Sequence, residues 1–214
     1  MARTTDLPVI PQQDLARVHA LLAGGRRVLL GLAGAPGAGK STLAAALRQV
    51  FAGVAQVVPM DGFHLAQAEL QRLGRAGRKG APDTFDAAGY AALLQRLRER
   101  ADGGDVVYAP EFRREIEEPV AGSIAVLPST RLVITEGNYL LLDDGAWRGV
   151  AACLAEVWFV DTDDALRTAR LVERHVRFGR SPQAARAWVD EVDEPNARLV
   201  AATRARAQHV VHWG

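Results

Sequence analysis

The stretch Gly34-Ala35-Pro36-Gly37-Ala38-Gly39-Lys40-Ser41 decides the fold, because it matches the pattern G-x-x-x-x-G-K-[ST]. Residues 28–33 before it form a short apolar run that predicts a buried strand, and residues 41–51 after it predict a helix. A strand, a glycine-rich turn and a helix N-terminus point backbone N–H groups at one spot, which suits a phosphate. We therefore expect this stretch, with Thr42, to bind ATP or GTP. Lys40 would reach the β- and γ-phosphates, and the Ser41 hydroxyl could ligate Mg²⁺.

Chance is a poor explanation for this motif in a chain that is nearly free of lysine. Of 26 basic residues, only Lys40 and Lys79 are lysines. A random match to the pattern has a likelihood on the order of one in a thousand.

Bulk composition bounds the class of protein. The length of 214 residues fits one domain, 1–214, with a small lid region, and the net charge of +1 argues against nucleic acid or a membrane surface as a partner. The chain has no apolar run approaching 18 residues, and residues 1–11 lack the apolar core of a signal peptide. The single cysteine, Cys153, excludes an internal disulfide and suits a reducing cytoplasm.

Strand and helix signals alternate along the chain, which predicts an α/β fold with a mostly parallel sheet flanked by helices. Residues 62–86 are rich in glycine and arginine and are interpreted as a substrate loop, and residues 163–192 as lid helices. The segment 111–126 gives no clear signal. Strands are predicted at 28–33, 54–59, 105–108, 132–135, 156–160 and 208–212, and helices at 14–23, 41–51, 87–100, 163–178 and from Pro182 onward, after the N-cap Ser181.

Two acidic residues follow predicted strands, where the active sites of such sheets lie. Asp61 could accept a proton from a substrate hydroxyl or orient it, although a turn aspartate before Gly62 is the ordinary alternative. Glu136 fits the second acidic position of a phosphate-loop enzyme, which holds Mg²⁺ or its water, although an exposed strand-end glutamate is also possible. Asp161 is a weaker candidate.

Four arginines, Arg167, Arg170, Arg174 and Arg177, are spaced three, four and three residues apart and share one helical stripe. As a whole, the stripe is interpreted as a solvated basic face. Arg170 and Arg174 are the candidates within it for clamping ATP phosphates and stabilising the transition state.

Further polar residues are candidates for contact with the substrate. Arg78 and Lys79 could contact an anionic part of it or close over the site. The other candidate lining residues are His64, Tyr108, Asn138 and Tyr139. The histidines near the C-terminus have no metal-ligand spacing, so no zinc site is expected.

Several motifs, in this order, resemble those of a family of small-molecule kinases. After the phosphate loop come Met60-Asp61-Gly62-Phe63-His64, Arg78-Lys79-Gly80-Ala81-Pro82-Asp83-Thr84-Phe85-Asp86, Tyr108-Ala109-Pro110, Glu136-Gly137-Asn138-Tyr139-Leu140-Leu141-Leu142 and Arg170-Leu171-Val172-Glu173-Arg174-His175. The chain resembles the P-loop kinases that include uridine kinases, phosphoribulokinase and type I pantothenate kinases. It is most similar to the subgroup labelled nucleoside/nucleotide kinase, fructose transport system kinase or fructokinase.

The resemblance implies ATP and Mg²⁺ as cofactors, with Asp61 as catalytic base and Glu136 assisting at the metal. It places Arg170 and Arg174 on a lid, and Phe85, Asp86 and Tyr108 on the acceptor side. Related kinases form dimers or tetramers, so a homodimer is one assembly that it admits. One departure is Arg113, where similar proteins tend to carry an aspartate within Phe-Asp-Arg.

Two functions of different classes follow from these features. The first is a kinase that transfers the γ-phosphate of Mg-ATP to a hydroxyl of a nucleoside, a pantothenate-like molecule or a sugar such as fructose. The second is a regulatory or assembly NTPase with slow hydrolysis and no small acceptor. A GTPase is disfavoured because no Asn-Lys-x-Asp signature occurs.

Overall fold

The computed structural model describes residues 9–99 and 104–213, so the end of the predicted 87–100 helix lies outside the described residues. Five parallel strands form the main sheet, in the order β2-β5-β1-β6-β7. They are β1 (Val28–Ala33), β2 (Ala55–Val57), β5 (Leu132–Gly137), β6 (Glu156–Asp161) and β7 (His209–His212). Every residue of β1 and β5 is buried, as expected for central strands that are covered on both faces. The predicted α/β fold is confirmed.

Helices cover both faces of this sheet. They are α1 (Gln12–Leu22), α2 (Lys40–Val50), α3 (Gln67–Arg72), α4 (Ala87–Glu99), α5 (Asp164–Arg177), α6 (Pro182–Trp188) and α7 (Glu194–Ala201), with a π-helical turn, Val189–Asp193, between the last two. Because strand side chains alternate, Leu29 packs into a core beneath α4, whereas Leu30 packs into a second core beneath α2. Two predicted starts are confirmed: Asp163 caps α5, and Ser181 caps α6, which begins at Pro182.

The unassigned segment folds as part of an antiparallel hairpin beside the main sheet. The predicted 105–108 strand begins at Val107 and continues as β3 (Val107–Arg113), which pairs with β4 (Glu118–Val126). Its sequence signal is weak because a register shift between Ala109 and Glu111 breaks the alternation of apolar and polar residues.

The predicted substrate loop, 62–86, contains more regular structure than expected. It holds α3 and two short 3₁₀ turns, Ala76–Arg78 and Pro82–Thr84. These elements are too short to give a clear periodic signal in the sequence. Across residues 9–99 and 104–213, no helix is long and apolar enough to cross a membrane.

Candidate active site

The phosphate loop connects β1 to α2, which begins at Lys40. The Lys40 side chain is buried, and its Nζ donates to the carbonyl oxygens of Gly34 and Ala35 (3.0 Å each) and to Oδ1 of Asn138 (2.8 Å). Burial lowers the pKa of Lys40 from 10.5 to about 8. Asn138, predicted to line the acceptor side, therefore also fixes the lysine.

Glu136 and Ser41 form the neighbouring contact. The Ser41 hydroxyl donates to Oε1 of Glu136 at 2.8 Å. Burial, with a smaller contribution from nearby Asp61, raises the pKa of the Glu136 carboxyl. No basic side chain of the described residues forms an ion pair with this buried carboxylate. A hydroxyl beside a carboxylate without a counterion is a set of oxygen ligands that suits Mg²⁺.

Asp61 lies in a 3₁₀ turn, Met60–Phe63, that follows β2 at the same edge of the sheet. One carboxylate oxygen, Oδ2, lies 3.5 Å from Nη2 of Arg114, at the tip of the hairpin. The Asp61 carbonyl oxygen lies 2.8 Å from Nδ1 of His64. The turn thus holds the carboxylate beside the phosphate loop and brings His64 close to it.

His64 contacts two phenylalanine rings at a tilt, with ring centroids 4.0 Å from Phe85 and 4.7 Å from Phe112. Burial lowers the pKa of the His64 imidazole, so the ring is neutral at pH 7. Because Nδ1 faces a carbonyl oxygen, which can only accept, we assign the ring proton to Nδ1. Nε2 is then left as a hydrogen-bond acceptor.

A cavity of about 780 Å³ connects these groups. Of the residues predicted from the sequence, it is lined by Pro36, Gly37, Lys40, Ser41, Asp61, His64, Lys79, Phe85, Glu136, Asn138 and Arg174. The substrate loop, the hairpin and the end of α5 form its walls.

Several predicted site residues do not line this cavity, among them three predicted substrate contacts and Arg170. Arg78 pairs with Asp83 at 2.5 Å on the protein surface, and Tyr108 is 58% exposed on the hairpin. Tyr139 is buried in the core, where its hydroxyl donates to the carbonyl of Gly80 at 2.5 Å. Arg170 lies near the phosphate loop, with Nη1 3.7 Å from the position of a β-carbon built on Gly39.

The arginines of α5 have different environments. Arg174 is half-buried and lines the cavity, and its side chain has no hydrogen bond or ion pair to any described residue. Burial, followed by the nearby positive charge of Arg114, lowers its pKa. The prediction that the arginine stripe is a solvated face is wrong for Arg167, which is 3% exposed. Its guanidinium donates to Glu194 at 2.5 Å and to the Pro36 carbonyl at 3.3 Å. Glu194 lies on α7, far along the chain, so local spacing gave no sign of the pair.

Several residues near the hairpin tip line the cavity although they were not among the predicted site residues. Phe112 and Arg114 both line the cavity, because they lie two positions apart and project to the same side. Arg113, where the sequence departs from similar proteins, projects away from the cavity and pairs with Glu111 at 2.9 Å. The unusual residue therefore lies outside the cavity.

A second cavity of about 720 Å³ lies past β6 and β7, on the other side of the phosphate loop. Asp161, the weaker strand-end candidate, lines it and pairs there with Arg204 (3.1 Å) and His212 (3.5 Å). The structure thus separates Asp161 from Asp61 and Glu136.

The parallel sheet, the phosphate loop and the carboxylates at the strand ends define a P-loop kinase. Residues 29–211 match the model of the "Phosphoribulokinase / Uridine kinase family", and the chain belongs to this family. It is therefore an ATP-binding, small-molecule kinase. The predicted family and enzyme class are confirmed, whereas the roles of individual site residues remain predictions.

Individual relatives agree with this assignment. The chain is 39% identical over 159 residues to "ATP-dependent kinase-like protein notR'" of Aspergillus versicolor, covering 71% of this chain and 92% of that protein. It is 35% identical over 190 residues to "Putative uridine kinase C227.14" of Schizosaccharomyces pombe, covering 84% and 80%. A crystal structure of a "putative fructose transport system kinase" from Silicibacter sp. TM1040 superposes with a TM-score of 0.84 at 36% identity, covering 96% of this chain and 100% of that one.

Proposed function

We propose that the protein transfers the γ-phosphoryl group of Mg-ATP to a hydroxyl group of a small molecule held in the 780 Å³ cavity. The observation that carries this proposal is that one cavity is lined both by residues of the phosphate loop and by residues predicted to contact the acceptor. Lys40, Ser41, Glu136 and Arg174 would face the phosphates, and Asp61 would face the acceptor.

In the proposed reaction, Asp61 orients the acceptor hydroxyl and takes its proton. The acceptor oxygen forms a bond to the γ-phosphorus while the bond from that phosphorus to the ADP oxygen breaks. Lys40 and Arg174 balance the charge of the transferring group from two sides. Among residues 9–99 and 104–213, the Arg174 guanidinium has no hydrogen-bond or ion-pair partner that would hold it away from the phosphates.

Ser41 and Glu136 would hold the magnesium ion, which when bound neutralises charge on the β- and γ-phosphates. Within the described residues, no group of three or more acidic, histidine or cysteine side chains is placed so that it could hold a metal ion. This agrees with Mg²⁺, which is usually bound by one or two protein ligands together with substrate phosphates and water.

The acceptor would occupy the part of the cavity formed by His64, Phe85 and Phe112. The rings offer an apolar surface, and Nε2 of His64 offers a hydrogen-bond acceptor to a hydroxyl. Lys79 adds a cation 5.3 Å from the centroid of the Phe112 ring. A nucleoside, a pantothenate-like molecule and a sugar such as fructose all supply hydroxyl groups for this environment.

We also propose that residues 163–192 act as a lid and residues 62–86 as an acceptor loop of one kinase domain spanning 1–214. Arg174 lies on α5 and lines the same cavity as Lys79 and the hairpin residues Phe112 and Arg114. Closure of α5 and α6 over bound substrates would exclude water from the transfer.

A screen for ADP release tests the proposal. Mg-ATP is supplied with nucleosides, pantothenate, fructose and other sugars, pentose phosphates and small vitamins. We expect one class to stimulate release, and Asp61→Asn to lose at least 10²-fold of this rate while still binding ATP. Lys40→Ala should abolish transfer as well.

Asp83→Asn is the matched control, because this carboxylate lies in the substrate loop that follows Asp61 but pairs with Arg78 at the surface. It should keep the wild-type rate. Full activity in Asp61→Asn would refute the role of Asp61. Slow turnover that no acceptor stimulates would favour the regulatory NTPase instead.

A further inference from the structure

The hairpin tip carries two adjacent arginines that face different surroundings. Arg113, the last residue of β3, pairs with Glu111 at 2.9 Å, and its side chain is 53% exposed. Arg114, the next residue, lines the active-site cavity, and its Nη2 lies 3.5 Å from Oδ2 of Asp61. The chain thus directs one arginine outward and the other toward the proposed catalytic base.

Arg114 is the only basic side chain of the described residues that forms an ion pair with Asp61. Lys40 directs its three hydrogen bonds at Gly34, Ala35 and Asn138, and Arg174 makes no ion pair. Without Arg114, the Asp61 carboxylate would have no counterion within 4 Å among the residues that the structure describes.

The position of Arg114 also reaches the phosphate side of the cavity. Its positive charge opposes the rise in the pKa of Glu136 that burial causes and adds to the lowering of the pKa of Arg174 by burial, so the guanidinium lies near both groups. Its Cζ lies 6.0 Å from the ring centroids of Phe112 and Phe178, between the hairpin and the end of α5. The groups that face it are thus Asp61 and Glu136, which are acidic, and Arg174, which is basic.

We propose that Arg114 is a catalytic cation supplied by the hairpin, which pairs with Asp61 before the acceptor binds and contacts the transferring phosphoryl group during the reaction. This inference rests on the proposed function. The reaction brings the Asp61 carboxylate and the charged phosphoryl group together around one acceptor oxygen, so a fixed positive charge between them lowers their repulsion.

The proton and bond changes remain those of the kinase reaction. The acceptor O–H proton passes to Asp61, the new O–P bond forms, and the bond from phosphorus to the ADP oxygen breaks. Arg114 keeps its charge throughout, since a guanidinium does not lose its proton in a protein. It therefore acts by position and charge alone.

The test compares Arg114→Gln, Arg114→Lys and Arg114→Gly with Arg113→Gln and Arg113→Gly. Two rates are measured for each variant: transfer to the acceptor found in the screen, and slow hydrolysis of ATP in which water replaces the acceptor. Affinity for a non-hydrolysable ATP analogue and Tm are measured in parallel, and the Gly variants are assayed with and without added guanidinium ion.

We expect Arg114→Gln to lose about 10²-fold in kcat for both reactions, the usual loss when one transition-state donor is removed. Affinity for the analogue should stay within about threefold, and Tm should not change measurably, as is usual for surface substitutions. Arg114→Lys should recover part of the rate, and guanidinium should rescue Arg114→Gly. The Arg113 variants should behave as wild type.

Wild-type kcat in Arg114→Gln, an equal loss in Arg113→Gln, or no rescue of Arg114→Gly by guanidinium would each overturn the inference. Failure of the proposed function gives a different result, because Asp61→Asn would then keep the wild-type rate. A purely structural role for Arg114 would lower Tm and could not be rescued by guanidinium.

Discussion

The buried ammonium group of Lys40 predicts that nucleotide affinity falls as the pH rises above neutrality. Burial lowers the pKa of Lys40 from 10.5 to about 8. The charged lysine therefore destabilises the folded, nucleotide-free protein at pH 7. Bound phosphates would restore the charged form, because they place negative charge beside the ammonium. Binding of ATP and binding of a proton to Lys40 are therefore linked.

The size of the effect follows from that pKa. With a pKa of about 8, half of the free protein carries an uncharged lysine at pH 8, so ATP binding should take up about 0.5 proton there. If only the charged form binds the phosphates, the association constant should fall about eightfold between pH 7.5 and 9. The nucleotide itself changes little in this range, since a phosphate loses its last proton near pH 6.

Isothermal titration calorimetry with a non-hydrolysable ATP analogue and Mg²⁺ measures both quantities, using buffers of different ionisation enthalpy to count protons. Lys40→Arg is the control, because arginine stays charged and should remove the lysine-dependent part of the pH profile. An affinity that stays constant from pH 7.5 to 9, with no proton uptake at pH 8, would refute the reasoning. A pH profile unchanged in Lys40→Arg would show that another group titrates.

Two further predictions concern stability. The raised pKa of Glu136 means that the folded protein loses stability as the pH rises through it. Glu136→Gln should therefore raise the Tm of the nucleotide-free protein at pH 7.5 by about 2–4 °C while abolishing transfer, and a lower Tm would contradict this. Arg167→Met should cost about 2 kcal/mol, because it leaves Glu194 without its buried partner. Thermal unfolding measures the loss of stability in Arg167→Met, with the exposed Arg177→Met as the control. Equal Tm values for the two variants would argue against a stabilising Arg167–Glu194 pair.

The sequence predicts the main sheet well because its central strands are short apolar runs. Val28–Ala33 and Leu132–Gly137 are buried along their whole length, so hydrophobicity alone marks them. The hairpin escapes prediction because a register shift and a charged tip, 113–118, interrupt its pattern. Hydrophobicity identifies strands that are covered on both faces, and it fails for this hairpin, which has one side on a core and one on a cavity.

The site is predictable to a similar degree. Motifs identify Lys40, Asp61 and Glu136. Glu136 lies at the end of β5, whereas Lys40 and Asp61 lie in the segments that follow β1 and β2, and the parallel sheet brings all three to one cavity. Spacing on a helix cannot separate Arg167, which is buried against α7, from Arg174, which faces the cavity. That distinction depends on Glu194, whose position is fixed only by tertiary packing.

The order of residues in Glu136-Gly137-Asn138 explains how separate motifs form one site. Residues 136 and 138 project to the same side of the strand end, where Glu136 accepts from Ser41 and Asn138 accepts from Lys40. Gly137 between them projects to the other side, where an added β-carbon would lie 2.5 Å from that of Met60.

The turn that carries Asp61 can therefore approach the strand only because residue 137 has no side chain. A second glycine, Gly62, permits a similar close approach between the Asp61 turn and the hairpin. A β-carbon on Gly62 would collide with the Pro110 carbonyl oxygen, so this glycine lets the hairpin close against the Asp61 turn. Each of the two motifs thus contributes an acid for the chemistry and a glycine that lets the next segment approach. The glycines set the distance from the phosphate loop to Asp61, and from Asp61 to the hairpin that carries Arg114.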